Sequence, residues 1–230
     1  MGNYTISMQT PPRGTLSLPT PSNPNPSGNP STFNDAMAVR RKVFIEEQNI
    51  DENAEIDNDD PRSWHWVLYT DSSGQINGST GKENATIGNG DPKPVAVTRL
   101  VPPPHAPHEV VSHPEKADLF PKYDLAHEPC VKLTRVAVLP EYRGMGLGKK
   151  VVDAAIEWAE NHRGDIEDAY AGVVGEQGRK RWEGLVLVHA QVDVEEMYRR
   201  LGFETDEGLG TWDEEGIDHV GLWRRVKVLG

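Results

Sequence analysis

Apolar and polar residues along this 230-residue chain recur with two spacings, which predict an order of helices and strands. Apolar residues at helical spacing predict a first helix over residues 35–48, with Asn34 or Asp35 as its N-cap. Two runs rich in β-branched and aromatic residues, 64–69 and 95–101, predict strands. The chain is therefore expected to begin its folded part as a helix followed by two strands.

The second half of the chain carries a stronger pattern. A long apolar run predicts a strand over 131–139, and a helix with apolar residues every three or four positions follows it. The inward-facing residues of that helix are predicted to be Leu147, Val151, Val152, Ala155, Ile156 and Ala159. The remaining predicted elements are a strand over 185–190, a short helix over 194–201, and strands over 203–207 and 221–228.

Composition divides the chain into one folded unit and several irregular segments. Residues 1–31 are rich in Pro, Ser, Asn and Thr with few apolar residues, so we expect a disordered tail. Residues 32–230 are expected to form a single domain. Long polar, Gly-rich or Pro-rich stretches predict loops at about 71–94, 103–129 and 163–183.

Between the strand over 131–139 and the helix after it lies the glycine-rich sequence RGMGLG, residues 143–148. Glycines at 144, 146 and 148 permit backbone conformations that turn several N–H groups toward one point at a helix N-terminus, which favours an anion. A Walker loop would need Ser or Thr after its lysine, whereas Lys149 is followed by Lys150. The glycine spacing also differs from that of a dinucleotide-binding turn. We therefore expect a phosphate-binding loop of another kind.

Charge and cysteine content narrow the classes of partner. The formal net charge of -12 argues against nucleic acid, and it fits cationic substrates as well as a simple solvated acidic surface. Cys130 is the only cysteine, so no intramolecular disulfide can form, which suits a reducing compartment. No apolar run is long enough to span a membrane, and no signal peptide is recognisable. We expect a cytoplasmic protein, with the nucleus left open, that has no membrane partner.

The alternation of apolar residues in the strand over 131–139 changes phase at Thr134 and Arg135. Such a shift is typical of a β-bulge, which would splay the strand from its neighbour and free backbone groups. A strand buried on both faces gives the same pattern. The sequence leaves these two alternatives open.

The R-x-x-G-x-G pattern of Arg143, Gly146 and Gly148, with the segment 135–142 before it, resembles the GNAT superfamily of acyl-CoA-dependent N-acetyltransferases. The order of predicted elements is also that of GNAT proteins. Outside the loop, the resemblance narrows to the ElaA-like branch and covers most of residues 36–226. It rests there on the segments 41–48, 55–60, 190–191 and 215–221.

This resemblance implies an α/β (α+β) GNAT fold, in which helices flank a mixed central sheet and a splayed central strand binds acetyl-CoA. It implies an enzyme that needs no metal and often forms a homodimer. Pantetheine contacts are expected at Val136, Ala137 and Val138, and the amide of Gln191, where GNAT proteins more often have asparagine, could bond the pantetheine or the backbone. Pyrophosphate contacts are expected at Arg143, Gly144, Met145, Gly146, Leu147, Gly148 and Lys149. Candidates for the ribose phosphate are Lys149, Lys150 and the basic cluster 179–181.

Aminolysis of a thioester needs a base for the amine and a proton for the departing thiolate. Tyr198 precedes a Leu-Gly-Phe turn, as in GNAT proteins, and is expected to donate that proton. Many GNAT enzymes place a carboxylate near Lys132 and Thr134 of this chain, and neither residue can replace it. Glu47 and His219 are the alternative bases, and Glu47 could instead anchor an ammonium group.

The acceptor pocket is expected to include Glu47, Gln48, His65, Trp66 and Thr134. The hypothesis that follows is direct acetyl transfer to a small primary amine such as an aminosugar, a polyamine or an aryl-alkylamine. Two alternatives stay open. One is acetylation of a protein or peptide, and the other is a non-catalytic CoA-binding sensor.

Overall fold

The computed structural model describes residues 3–70 and 92–229. Most of the loop predicted at 71–94 lies outside the described residues. The strands are β1 (Tyr4–Gln9), β2 (Trp64–Thr70), β3 (Lys93–Val101), β4 (Val131–Val138), β5 (Leu185–Gln191), β6 (Glu204–Thr205), β7 (Thr211–Glu214) and β8 (Ile217–Arg225). The helices are α1 (Ser31–Arg40), α2 (Glu52–Glu55), α3 (Glu109–Ser112), α4 (Leu147–Asn161), α5 (Arg163–Val174) and α6 (Glu195–Arg200).

The described strands form one sheet in the order β1-β2-β3-β4-β5-β8-β6, with β7 paired to β8. Only β4 and β5 run parallel, and the other neighbours are antiparallel. Trp64 and Trp66 lie two residues apart in β2, and both contact Trp158 of α4, at 4.5 and 5.8 Å between ring centroids. His65 between them contacts Phe33 of α1. The sheet is therefore mixed and is flanked by helices on both faces, which confirms the predicted fold class.

The helix α4 buries the six residues that its apolar spacing predicted. The first helix differs from its prediction at both ends. It begins at Ser31 after Pro30, so neither Asn34 nor Asp35 is its N-cap. Beyond Arg40 it continues as a wide π-helical turn, Arg41–Glu47, in which the N–H of Gln48 donates to the carbonyl of Val43 at 3.0 Å. Turns of this kind recur at functional sites.

Three regions correct the expected organisation. Tyr4–Gln9 lies in the predicted disordered tail, yet it forms β1 and pairs with β2 over six residues. Arg163–Val174 falls in a predicted loop, yet it forms α5, with Ile166 and Tyr170 buried. The strand β7 was not predicted and extends the sheet beside β8. By contrast, the segment 103–129 has only short helical turns, Glu109–Ser112 and Pro114–Leu119, in agreement with a long loop.

Candidate functional site

The central strand β4 separates from β5 halfway along its length. Their parallel pairing ends at Leu133 and Val188. On the other side of β4, Thr134 pairs with Arg99 and Ala137 pairs with Val97, so β4 has one more residue than β3 over this stretch. Arg135 lies there with a φ of 53°. The phase shift in the sequence is therefore a β-bulge, and β4 beyond it has an edge that no longer pairs with β5.

A network of buried charges supports the bulge from the α1 side of the sheet. Both Nη atoms of Arg99 donate to Asp57, at 2.7 and 2.8 Å, and its Nε donates to Thr134 at 2.9 Å. Arg40 donates to Asp60 at 2.6 Å. Burial alone would raise the pKa of Asp60, but the Arg99 and Arg40 guanidinium groups hold that pKa well below its ordinary value. The network fixes the backbone where β4 leaves β5.

The glycine-rich loop lies between the splayed end of β4 and the N-terminus of α4. Gly144 and Gly146 have φ angles of 75° and 74°, and Gly146 is the N-cap of α4. A Cβ atom at either position would meet no atom within 4 Å, so these glycines are required by backbone conformation and not by space. The first N–H groups of the 15-residue α4 are thus available to an anion.

The side chain of Arg143 does not extend away from the protein toward a ligand. Its Nε donates to the carbonyl of Val138 at 3.1 Å, and its two Nη atoms donate to the two carboxylate oxygens of Glu47, each at 2.6 Å. The hydrogen bonds from Arg143 lower the pKa of Glu47. Glu47 is therefore a weaker base in this arrangement than an unpaired carboxylate.

Two other predicted site residues bond to each other. The Gln48 amide donates to the Gln191 carbonyl oxygen at 3.2 Å, and the Gln191 amide donates back at 3.0 Å. This reciprocal pair joins the end of the first helix to the end of β5. Because Glu47 contacts Arg143 at the same helix end, the first helix reaches both sides of the opening between β4 and β5.

Tyr198 lies in α6, which packs against the glycine loop. Met197 Sδ would lie 3.7 Å from a Cβ at Gly148, and Val138 Cγ2 would lie 3.6 Å from it. The Tyr198 ring is 4% exposed and contacts Phe203 edge-on at 5.7 Å. Burial raises the pKa of Tyr198, so the hydroxyl keeps its proton at neutral pH and is a weaker acid than an exposed tyrosine.

His219 lies on β8 directly opposite Gln191. Its Nδ1 is 2.8 Å from the carbonyl of Ile217, so Nδ1–H is the donor and Nε2 is the ring nitrogen that can act as an acceptor. The ring stacks on Trp212 with 6.4 Å between centroids. The geometry is that of an oriented imidazole beside the opening.

Two predicted acceptor residues are instead part of the core. His65 is 1% exposed, its Nε2 lies 3.1 Å from the carbonyl of Asp60, and burial lowers its pKa to about 4. Trp66 is 3% exposed and packs on Trp158. The prediction that these two line the pocket was wrong, because alternate residues of β2 face helices on both sides. Thr134 is half-buried and accepts the hydrogen bond from Arg99.

The basic residues proposed for the ribose phosphate are engaged locally. Lys149 pairs with Asp153 at 2.5 Å. In the cluster 179–181, Arg179 pairs with Asp168 and Glu176, and Lys180 donates to carbonyls of the 103–129 segment. Lys150 is exposed beside β1. Among these residues, the two lysines lie in the first turn of α4, next to the loop.

A cluster of aromatic and charged side chains, which the sequence analysis missed, lies on the sheet face that carries Gln191 and His219. Its members are Lys132 on β4, His189 on β5, Trp212 and Glu214 on β7, and His108 from the 103–129 segment. His189 Nδ1 lies 3.3 Å from Glu214 Oε1, and Trp212 Nε1 donates to the same oxygen at 2.8 Å. The alternation His189-x-Gln191 was the one available signal, because residues two apart share a face.

The 103–129 segment covers this aromatic cluster. The His108 ring contacts Trp212 edge-on at 4.5 Å and lies 5.9 Å from His189. Both of its ring nitrogens are buried without a hydrogen-bond partner in the described structure. Burial lowers the pKa of His189 to about 3 and also lowers the pKa of Lys132. Burial alone would raise the pKa of Glu214, but the hydrogen bond from His189 and the nearby charges hold it low, so Glu214 is an anion.

Within residues 3–70 and 92–229, no group of three or more His, Cys, Asp or Glu side chains is placed to hold a metal ion. Over the same part of the chain, no helix combines the length and apolar character needed to cross a membrane.

Comparison with known proteins agrees with this geometry. The sequence model of the acetyltransferase (GNAT) family matches residues 40–181. Among solved structures, an acyl-CoA N-acyltransferase from Pseudomonas aeruginosa is 18% identical with a TM-score of 0.53, over 96% of this chain and 99% of that one. Escherichia coli ElaA is 18% identical with a TM-score of 0.52, over the same shares of the two chains. Arabidopsis thaliana NAA60, in complex with a bisubstrate analogue, is 13% identical with a TM-score of 0.50, over 98% and 100%.

Proposed function

Because the chain belongs to the acetyltransferase (GNAT) family and is an acetyl-CoA-dependent acetyltransferase of that type, we propose that its acceptor is a small primary amine. The observation that carries this proposal is the contact of His108 with Trp212, whose Nε1 donates to Glu214, on the sheet face that holds Gln191 and His219. A covered face of this kind favours a compact acceptor over an extended peptide. The carboxylate of Glu214 on the same face can accept hydrogen bonds from an ammonium group, and Lys132 beside it partly balances its charge.

We propose that the bulge and the glycine loop together hold acetyl-CoA. The free edge of the segment 136–138 supplies backbone groups for the pantetheine arm, and the N–H groups of residues 144–149 face the pyrophosphate, since the N–H of Arg143 donates to the Pro140 carbonyl. Acetyl-CoA supplies the activated acetyl thioester. Backbone N–H groups at the bulge polarise its carbonyl, since they are free of β5 and fixed by the charge network.

Two proton transfers complete the proposed reaction. An alkylammonium with a pKa of roughly 10 must lose a proton before its nitrogen attacks. His219 is the better base of the two candidates, because its Nε2 is oriented to accept while Glu47 is paired with Arg143. Tyr198, which stays protonated, donates to the departing thiolate. The new amide bond replaces the thioester, and free CoA leaves as a thiol.

The test is acetyl-CoA-dependent thiol release across a panel of aminosugars, polyamines, aryl-alkylamines and peptides. We expect release with one class of small amine. Tyr198→Phe should lower kcat by about 100-fold or more, the usual range for general acid catalysis, and leave acetyl-CoA affinity unchanged. Release with peptides alone would replace the small-amine proposal with peptide acetylation. Acetyl-CoA binding without any release would instead favour the sensor hypothesis.

A further inference from the structure

The end of the first helix spans the opening between the two strands that splay apart. On the β4 side, Glu47 binds Arg143, which also donates to the Val138 carbonyl. On the β5 side, Gln48 and Gln191 exchange hydrogen bonds. We call these two contacts together the helix-end bridge. It connects the loop before α4, the central strand and β5 through one turn of helix.

All three nitrogens of the Arg143 guanidinium contact protein acceptors in this bridge. The two Nη contacts with Glu47 are bidentate, the geometry that gives arginine–carboxylate pairs their directionality. The anion-binding character of the loop has a separate origin, in the left-handed glycines and the first N–H groups of α4. The side chain of Arg143 therefore contacts other protein groups, whereas the main chain of the loop provides the N–H groups that can bind an anion.

We propose that the Arg143 side chain is a positioning residue that braces the end of the first helix against β4 and is not itself a ligand of the pyrophosphate. The brace fixes Glu47 and Gln48 as a wall of the opening through which the acceptor approaches. The role proposed for Arg143 rests on the proposed function only in that acetyl-CoA is taken as the ligand.

The change in acetyl-CoA affinity caused by Glu47→Gln has opposite signs if Arg143 is a brace and if Arg143 binds the phosphate directly. If Arg143 bound phosphate directly, Glu47 would compete for it, so removal of the Glu47 charge would leave acetyl-CoA affinity unchanged or tighten it. If Arg143 is a brace, both Glu47→Gln and Arg143→Gln remove its contact with Glu47, and Arg143→Gln also removes its bond to the Val138 carbonyl. Both should then weaken binding, Arg143→Gln at least as much as Glu47→Gln.

The experiment measures acetyl-CoA dissociation constants by calorimetry for Glu47→Gln, Arg143→Gln, the double variant and the charge exchange Glu47→Arg/Arg143→Glu. We expect each single variant to lose about threefold, the scale of one exposed ion pair, with no further loss in the double variant. The charge exchange should recover most of the affinity. Lys42→Gln is the matched control, because it removes an ion pair of 2.6 Å, with Glu46, from the same helix without touching the loop.

A loss of tenfold or more in Arg143→Gln and in the charge exchange, with Glu47→Gln unchanged or tighter, would overturn the brace. Urea unfolding of the same variants tests the contact without any ligand. Destabilising shifts of the two single variants that do not add in the double variant support the brace, and additive shifts refute it. Should the wild-type protein not bind acetyl-CoA, the proposed function would fail while this second measurement still decides the role of Arg143.

Discussion

Gly146 offers a clear test of the loop, because a substitution there changes the backbone energy without causing a steric clash. Its φ is 74°, and a Cβ added there would meet nothing within 4 Å. Gly146→Ala therefore adds no clash, and its cost is the left-handed conformation alone, about 1–2 kcal/mol. In a domain of this size, such a loss lowers Tm by roughly 2–8 °C.

The size of the substituent should matter less than its tolerance of a positive φ. Gly146→Asn should cost less than Gly146→Ala, because asparagine adopts the left-handed region more readily. Gly164 in α5 is the matched control, since a Cβ there also meets nothing within 4 Å and its φ is not positive. Gly164→Ala should keep or raise the stability, by up to about 1 kcal/mol, because alanine is the better helix former.

Thermal unfolding followed by tryptophan fluorescence gives the stability order, and calorimetry with acetyl-CoA gives the effect on the loop. We expect Gly146→Ala to weaken acetyl-CoA binding as well, because a shift of φ turns the N–H groups away from their common point. If Gly146→Ala unfolds at the wild-type temperature, or if asparagine is worse than alanine, the conformational argument is wrong.

Three further predictions follow from buried groups. Asp60→Asn should cost about 3–5 kcal/mol in urea unfolding, because it leaves two buried guanidinium groups short of charge. The pKa of Asp60 is lower in the folded protein than in the unfolded chain, so its charge stabilises the fold fully above the unfolded pKa of about 3.9. The stability of the wild-type protein should therefore fall as the pH drops below that value. Asp60→Asn should make this fall smaller. His108→Phe should keep the ring contact with Trp212 and remove two buried nitrogens that have no hydrogen-bond partner in the described structure. Thermal unfolding should therefore show an unchanged stability, or a gain of about 1 kcal/mol. A clear loss of stability would mean that the His108 nitrogens bind a ligand or water. Cys130 should resist thiol reagents until the protein unfolds, because burial raises its pKa to about 12, and rapid labelling of the native protein would contradict this burial.

The parts of the fold that the sequence predicted are those with strong local patterns. The helix α4 has a full apolar stripe, and its six buried residues were all predicted. The bulge left a phase shift in an otherwise regular strand. In each case the signal lies within about fifteen residues and reflects burial of one face.

The elements that the sequence did not predict lack a strong local pattern. The strand β1 is an edge strand whose residues are mostly exposed, so its pairing leaves no hydrophobic alternation to read. The helix α5 buries only Ile166, Tyr170 and Ala171, too few to mark a face. The buried charges join residues 40, 57, 60 and 99, which are far apart in sequence and look like ordinary surface residues one at a time. Such contacts depend on tertiary structure, which a local pattern does not contain.

The same distinction separates the two sides of the proposed site. The proposed CoA side consists of one strand, one loop and one helix that follow each other in the chain, from Val131 to Asn161, so a local pattern can indicate it. The proposed acceptor side is assembled from the first helix, the 103–129 segment and the strands β5, β7 and β8. Its residues meet only through side chains, as in the contact of His108 with Trp212 or of Gln48 with Gln191. In the proposed site, substrate choice therefore depends on how these separate segments are held against β4, and the contact between Glu47 and Arg143 is the proposed link between the first helix and the glycine loop.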